Sequence, residues 1–569
     1  MLDQTQDVRA SRHHGATNVE LREAVELPEQ SLTALLQVIV KVGLRISLAH
    51  ARQSATGSIP ARGRARGPVR RAATMPPHIS KLESEEARRT LECSRQAAAL
   101  RSRAVTGIDT DYLVIGAGAA GMAFADSLIT ESDADVVMVD RRHASGGHWN
   151  DAYPFVRLHQ PSAFYGVNSR VLGSDSIDTV GPNAGFYERA TAAEICDYFR
   201  RVLEERLLAS GRVRFFGMSD YRVDPAGDHQ FVSRLTGAVS KVHVRRKIVD
   251  ATYLEAEVPS THVPPFGVDA NARLIPINDL VTVLEPGSAY TVIGAGKTGM
   301  DACMWLLENG VAPGEIRWIR PRDAWLLNRA FQQPLELVGS IIEGMSLAVE
   351  ATAQAENVKD LFRRLEACEV LLRLGATAEP AMFRCATVSA HELQSLRTIE
   401  NVVRQGRVVH VGTDRIVLQD GSIPTDGTQV HIDCSAAGLR VAPPRPIFEP
   451  GRITLQQVRT CQPTFNAALI AHVEACRDDD TEKNRLCPPN PYPSSALDWI
   501  SATYISQRAE ARWLREPDLA AWMERSRLNG SRGISEHMSD PQVQSAFGRL
   551  LANSKPAIDN LKGLLALAP

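Results

Sequence analysis

The sequence predicts an α/β protein with two parallel-sheet units, each opened by a glycine-rich turn, and a helical segment at its C-terminal end. Three observations predict it. The pattern strand, GxGxxG turn, helix, strand occurs at residues 111–140 and recurs at 290–319. Short apolar runs between and around them read as buried strands. Residues 476–569 then lose strand character and turn helical. The 569 residues suffice for roughly three to four domains of about 150 residues each. With 44% hydrophobic and 23% charged residues, collagen-like, coiled-coil and wholly disordered chains are excluded. A net charge of −2 argues against nucleic acid as the main partner.

The first hundred residues differ from the rest. Residues 30–82 carry no acid and nine Lys or Arg, and Ala61–Ala72 (ARGRARGPVRRA) cannot bury a core. Residues 1–105 are therefore expected to form a disordered basic extension, with translation starting at Met75 as the alternative. Leu32–Leu48 is broken by Gln37, Lys41 and Arg45, so it reads as an amphipathic helix and not as a membrane span. No positive n-region opens the chain, so no secretory signal is expected. Nine Cys without a C-x-x-C pair suggest a cytoplasmic protein with reduced thiols.

In the first unit, Asp111-Tyr-Leu-Val-Ile115 is a strand and Gly116-Ala-Gly-Ala-Ala-Gly121 follows at once. Gly116 allows the tight turn, Gly118 lets a pyrophosphate approach, and Gly121 lets helix and strand pack closely. Ala119 and Ala120 begin the helix, whose N-terminal N–H groups and dipole favour phosphate. The returning strand 134–139 ends in Asp140, followed by Arg141; Asp140 is placed to hold a ribose diol. The unit is a dinucleotide cradle of the Rossmann type.

In the second unit, Tyr290–Ile293 leads into Gly294-Ala-Gly-Lys-Thr-Gly299. Gly294, Gly296 and Gly299 repeat the three glycine roles, with Lys297 and Thr298 at the helix start. Lys297 lacks the four-residue spacing of a Walker loop, which excludes a nucleotide triphosphatase. The strand 315–319 ends without an acid, and Arg320 and Arg322 stand where the ribose carboxylate would be. Guanidinium groups suit a 2′-phosphate, which favours NADPH over NADH. Two cradles in one chain suggest hydride transfer between two cofactors.

With these motifs in place, the stretch from Asp111 to Glu474 resembles the two-dinucleotide-binding-domain flavoproteins, in particular the flavin-containing and Baeyer–Villiger-type monooxygenases. Gly146-Gly147-His148-Trp149 with Tyr153-Pro154 is similar to their GGxW…YP segment, which lies beside the flavin. Ile416–Gly438, ending in Ser435-Ala-Ala437-Gly438, resembles their closing hairpin, strand and flavin-facing turn, and Asp250-Ala-Thr-Tyr253 looks like a degenerate copy. The F-x-G-x-x-x-H segment departs from the pattern: Phe266 and Gly267 are present, but Asn271 and Ala272 stand where the His is expected, and neither can replace an imidazole.

The resemblance implies a discontinuous FAD domain (106–258 and 406–475) with an inserted NADP domain (259–405), followed by a helical segment at 476–569. It implies FAD and NADPH as cofactors, and a monooxygenase acting on a small organic molecule and O2 through a flavin hydroperoxide. A reductase or dehydrogenase without oxygen insertion, and a non-catalytic flavin-binding module, stay open. His148, Arg157 and His159 are the candidate catalytic residues, and Gln160 joins Gly147, His148 and Trp149 as a cofactor contact. No His/Cys/Glu cluster has metal-ligand spacing and no GxSxG appears, so neither a metal site nor a hydrolase is expected.

Four further elements are expected. Arg212–Thr252 should be an antiparallel meander, and Thr191–Leu208 a helix with a capping box at Thr191 and Glu194. Residues 335–400 should be mostly helical, and Trp499, Trp513 and Trp522 should be core residues of the last segment.

Overall fold

The computed structural model describes residues 107–567. The basic extension, the helix expected at Leu32–Leu48 and Met75 lie outside the described residues.

The chain enters as β1 (Ile108–Ile115) and passes the first glycine turn into α1 (Ala119–Glu131). It returns as β2 (Val136–Val139), all four residues buried. Beyond the GGHW segment comes α2 (Ala192–Val202), whose capping box at Thr191 and Glu194 forms. Then follow β3 (Val213–Phe216), β4 (Ser219–Val223), β5 (His229–Ser233) and β6 (Val239–Asp250). The expected meander is only partly right. β4, β5 and the start of β6 pair antiparallel, but β3 pairs parallel with β2. β3 follows a helix, so it closes a crossover unit instead of a hairpin. From Val242 onward β6 joins the main sheet, parallel to β1.

The second unit runs from β7 (Leu274–Pro276) and β8 (Tyr290–Ile293) into α3 (Lys297–Glu308) and β9 (Ile316–Ile319). Then come β10 (Ala324–Asn328), α4 (Gly339–Gln354), α5 (Val358–Ala367), β11 (Met382–Val388), α6 (Ala390–Arg397), β12 (Val402–Val403) and β13 (Val430–Asp433). Residues 335–400 are thus mostly helical, interrupted by β11, which pairs parallel with β10, and by Leu371–Leu372, which pairs antiparallel with it. The second sheet has the order β12-β9-β8-β13-β7, every pair parallel. β13, the strand of the closing segment, therefore sits beside β8 in the second sheet.

The chain returns to the first sheet as β14 (Phe448–Glu449) and β15 (Arg452–Thr454), the latter parallel to β6. Next is α7 (Pro463–Cys476), buried on all sides from Thr464 to Glu474. It shares one apolar core with α1, in which Phe465, Ala468 and Leu469 meet Met122, Phe124 and Leu128. A helix apolar all round must be covered twice. The second cover is α8 (Asp480–Leu486), α9 (Ala496–Trp513) and α10 (Pro517–Arg525), with α11 (Pro541–Ala566) packing on α4. Trp513 and Trp522 belong to the α1/α7 core, and Trp499 packs among Trp325, Phe362 and Phe383. No helix among the described residues is long and apolar enough to cross a membrane.

Candidate active site

Both glycine turns open into one cavity of about 1310 Å³. Gly116 has φ +99°, which a side chain would strain, and Gly118 is the N-cap of α1. No side chain caps α1 and its first turn holds no acid, so its N-terminal N–H groups are left to a ligand. Gly116, Gly118, Ala119 and Ala120 line the cavity. Gly121 does not. A Cβ there would lie 2.0 Å from the Gly116 carbonyl oxygen, so its role is close packing. Asp140 lines the cavity and accepts from the Ala117 and Arg142 N–H groups, each at 2.7 Å. Its carboxylate thereby fixes the turn.

The second turn repeats this geometry. A Cβ on Gly299 would lie 2.3 Å from the Gly294 oxygen, while a Cβ on Gly296 would meet nothing within 4 Å. That open space in front of Gly296, over an uncapped helix start, is the shape a pyrophosphate fills. Gly294, Gly296, Lys297 and Thr298 line the cavity. Lys297 is ion-paired with Asp301, which also accepts from the Tyr153 hydroxyl at 2.6 Å.

Other expected residues divide. Gly147, His148, Trp149, His159, Gln160, Ala437 and Gly438 line the cavity. The Trp149 indole donates to the Tyr165 hydroxyl at 2.8 Å. Burial pushes His148 down to about 4, with Arg142 adding to it. Burial also lowers His159 to about 4, helped by Lys297. Both imidazoles are therefore neutral at pH 7.

Three residues fall elsewhere. Arg157 is exposed, does not line the cavity, and donates to the Arg189 carbonyl at 3.0 Å. Arg141 is exposed and paired with Glu255; its neighbour Arg142 lines the cavity instead, paired with Asp151 at 2.6 Å. Arg320 is buried, stacked over Trp318 with its Nε 3.5 Å from Asp323. It turns inward because Asp323, which also holds Arg404 at 2.8 Å, is buried there. Arg322 does line the cavity, with Arg384 and Arg407. Burial lowers the Arg322 guanidinium, and the charges of Arg407 and Arg384 lower it further. Asn271 is exposed and off the cavity.

The sequence did not show Arg384 or Arg407, whose partners in space come from distant segments. It also did not show a buried charge cluster below His159. There Glu392 lies 2.7 Å from Arg329 and 3.3 Å from Arg189, and the Arg329 Nε donates to the His159 carbonyl at 3.2 Å. Burial would raise the Glu392 carboxyl, but Lys297, Arg329 and Arg189 outweigh it and hold it at about 2. The expectation of reduced thiols throughout is corrected, because Cys385 and Cys461 form a disulfide. Glu131, His472 and Cys476 place ligand atoms within 4.8 Å of one another, a grouping hidden by the separation of Glu131 from the other two. Glu131 is already engaged there by His472 and by the Trp522 indole at 3.0 Å.

A family model described as an NAD(P)-binding Rossmann-like domain matches residues 114–166, the first cradle and the GGHW segment. The uncharacterized protein Rv2000 of Mycobacterium tuberculosis (strain ATCC 25618 / H37Rv) is 50% identical over 423 residues, covering 74% of this chain and 78% of that protein. The uncharacterized protein Mb2023 of Mycobacterium bovis matches to the same extent. The chain belongs to the Rv2000 family. Solved structures similar to it include a steroid monooxygenase bound to NADP, at 14% identity over 76% of this chain and 98% of that one, with a TM-score of 0.43. A flavin-containing monooxygenase from Stenotrophomonas maltophilia is also 14% identical, over 73% and 99%, with a TM-score of 0.36. By its own sheets and helices the Rv2000-family chain is an α/β protein with two Rossmann-like units and a helical C-terminal segment.

Proposed function

We propose that this Rv2000-family protein is an FAD- and NADPH-dependent oxidoreductase, and specifically a monooxygenase of small organic molecules. The observation that carries the reading is that both cradles open into one cavity. Two cofactors held there would meet without a conformational relay. The first cradle, with Asp140, Gly147 and Trp149, would hold FAD. The second, with Lys297, Thr298 and the Arg322, Arg384 and Arg407 group, would hold NADPH, the guanidiniums taking the 2′-phosphate. The chemistry supplied by the bound pair is two-electron transfer from NADPH through flavin to dioxygen.

The chain's own residues position and insulate. His148 and His159, neutral and lining the cavity, would hydrogen-bond the reacting oxygen without adding a charge. Arg157 takes no part, given its exposed position. The apolar parts of the lining, Leu158, Leu327, Ile341 and Met345 among them, would keep water from the reacting end.

The test is the visible spectrum of the purified protein with and without NADPH, followed by 18O2 labelling with a panel of small ketones, amines and sulfides. Bleaching by NADPH, recolouring in air and one labelled oxygen in product support the reading. Turnover that persists without O2 would replace it with the dehydrogenase reading. A protein that cannot bind FAD would end both.

A further inference from the structure

We propose that the Cys385–Cys461 disulfide is a redox-active centre of the cavity, which accepts the electrons of NADPH. The proposal rests on the FAD and NADPH reading above and goes beyond it. The two residues are 76 apart in sequence and their Cα atoms are 6.1 Å apart, within the usual span of a disulfide. Both line the cavity that the two cradles share, and both are only partly buried. A disulfide sealed in a core is inert, whereas one open to a reactant is the reducible kind.

The backbone on each side supports a presented bond. Cys385 has φ +55° and Cys461 φ +64°, a region that residues with a Cβ seldom occupy. Such outliers concentrate at functional sites. Cys385 lies on a bulge of β11: Trp325 pairs with Phe383, but Leu327 pairs with Thr387, so β11 carries extra residues between the two pairs. A bulge re-aims a side chain out of the ladder. Cys461 stands just before α7, the helix packed on α1, which begins at the first cradle. Gln462, the N-cap of α7, makes no capping hydrogen bond and lines the cavity beside Cys461. The bond therefore joins the β10/β11 strand pair to the start of α7, in the lining of the cavity that the two cradles share.

The step balances simply. NADPH is oxidised to NADP+, giving two electrons and one proton as hydride to the flavin. A second proton comes from water. The pair passes to the disulfide, the Sγ–Sγ bond breaks, and two thiols form. The oxidised flavin is regenerated, so a second NADPH can react before any O2 is needed. The cavity then holds four electrons where a flavin alone holds two.

The full-length, FAD-bound protein is titrated anaerobically with NADPH, then denatured and alkylated, and its intact mass is read. The expected result is two NADPH consumed per flavin and two more alkylated thiols, both mapped to peptides containing Cys385 and Cys461. Cys461→Ser should take one NADPH and gain no thiol. The wild-type thiol count stands by itself if that variant does not fold. A flavin that bleaches with one NADPH while the thiol count stays unchanged overturns this proposal and leaves the cofactor reading standing. A flavin that NADPH does not bleach overturns both. Absence of a Cys385–Cys461 cross-linked peptide in the non-reduced, air-oxidised protein also overturns it.

Discussion

Gly296→Ala separates folding from cofactor binding at a single atom. The Gly296 backbone has φ −80° and ψ −177°, which alanine adopts freely. Its new Cβ would meet no protein atom within 4 Å. As an N-cap, alanine is worse than glycine by about 0.5–1 kcal/mol. Restricting the unfolded chain returns about 0.4–1 kcal/mol. The two offset, so the melting temperature should move by no more than about 2 °C. The space the methyl enters is the one assigned to the NADPH pyrophosphate. Crowding of that kind costs about 1–3 kcal/mol, which is roughly 5- to 150-fold in affinity. Steady-state NADPH oxidation and thermal melting are the two assays. Gly299→Ala is the contrast, since its Cβ would fall 2.3 Å from the Gly294 oxygen and should lower the melting temperature outright. An unchanged KM for NADPH in folded Gly296→Ala would refute the cradle assignment, because nothing else occupies that space.

Three other outcomes follow from the same geometry. Arg322→Gln should raise the KM for NADPH about tenfold and leave that for NADH unchanged, as one charge-assisted contact to a 2′-phosphate is worth about 1.5 kcal/mol; parallel kinetics with both nucleotides check it. Glu392→Gln should destabilise by about 3–5 kcal/mol, since it leaves the buried Arg329 and Arg189 uncompensated; urea unfolding measures this. Burial, aided by Arg317, lowers His431 to about 4, and the residue is 1% exposed. Its folded value lies below the unfolded 6.5, so protons favour the unfolded chain, and stability is lost as pH falls from about 6.5 towards 4. Between pH 7 and pH 5 this amounts to about 1–2 kcal/mol. His431→Gln should flatten the slope of unfolding free energy against pH by that amount.

The parts that were legible in the sequence are those written locally. Gly116 to Asp140 and Gly294 to Ile319 each carry strand, turn and helix within about thirty residues, so their periods and glycines are readable in one window. The capping box at Thr191 was legible for the same reason. What was not legible depends on contacts between distant segments. The placement of β13 in the second sheet follows from pairing with β8, some 140 positions earlier in the chain. Arg320 and Arg322 are two residues apart, yet only Arg322 reaches the cavity, because Asp323 and Arg404 draw the Arg320 guanidinium inward. Position after a strand names the candidates, and the neighbours of the side chain choose between them.

The same contrast explains the chemistry of the cavity walls. Arg322, Arg384 and Arg407 together line the cavity, and burial followed by the charges of Arg407 and Arg384 lowers the Arg322 guanidinium. An anion placed there would relieve that repulsion, and a 2′-phosphate is the anion that a second cradle without a strand-end acid would present. Within the same cradle Lys297 is ion-paired with Asp301, while His148 and His159 are driven neutral by burial. Nearby positive charges, Arg142 for His148 and Lys297 for His159, add to burial in keeping both imidazoles neutral. A dehydrogenase would be expected to hold a titrating acid or base beside its substrate, in reach of physiological pH. The two buried imidazoles, both near 4, do not meet that need. Under the proposed monooxygenase reading, neutral imidazoles can hydrogen-bond a reacting oxygen without adding a charge, and positioning and exclusion of water carry the work.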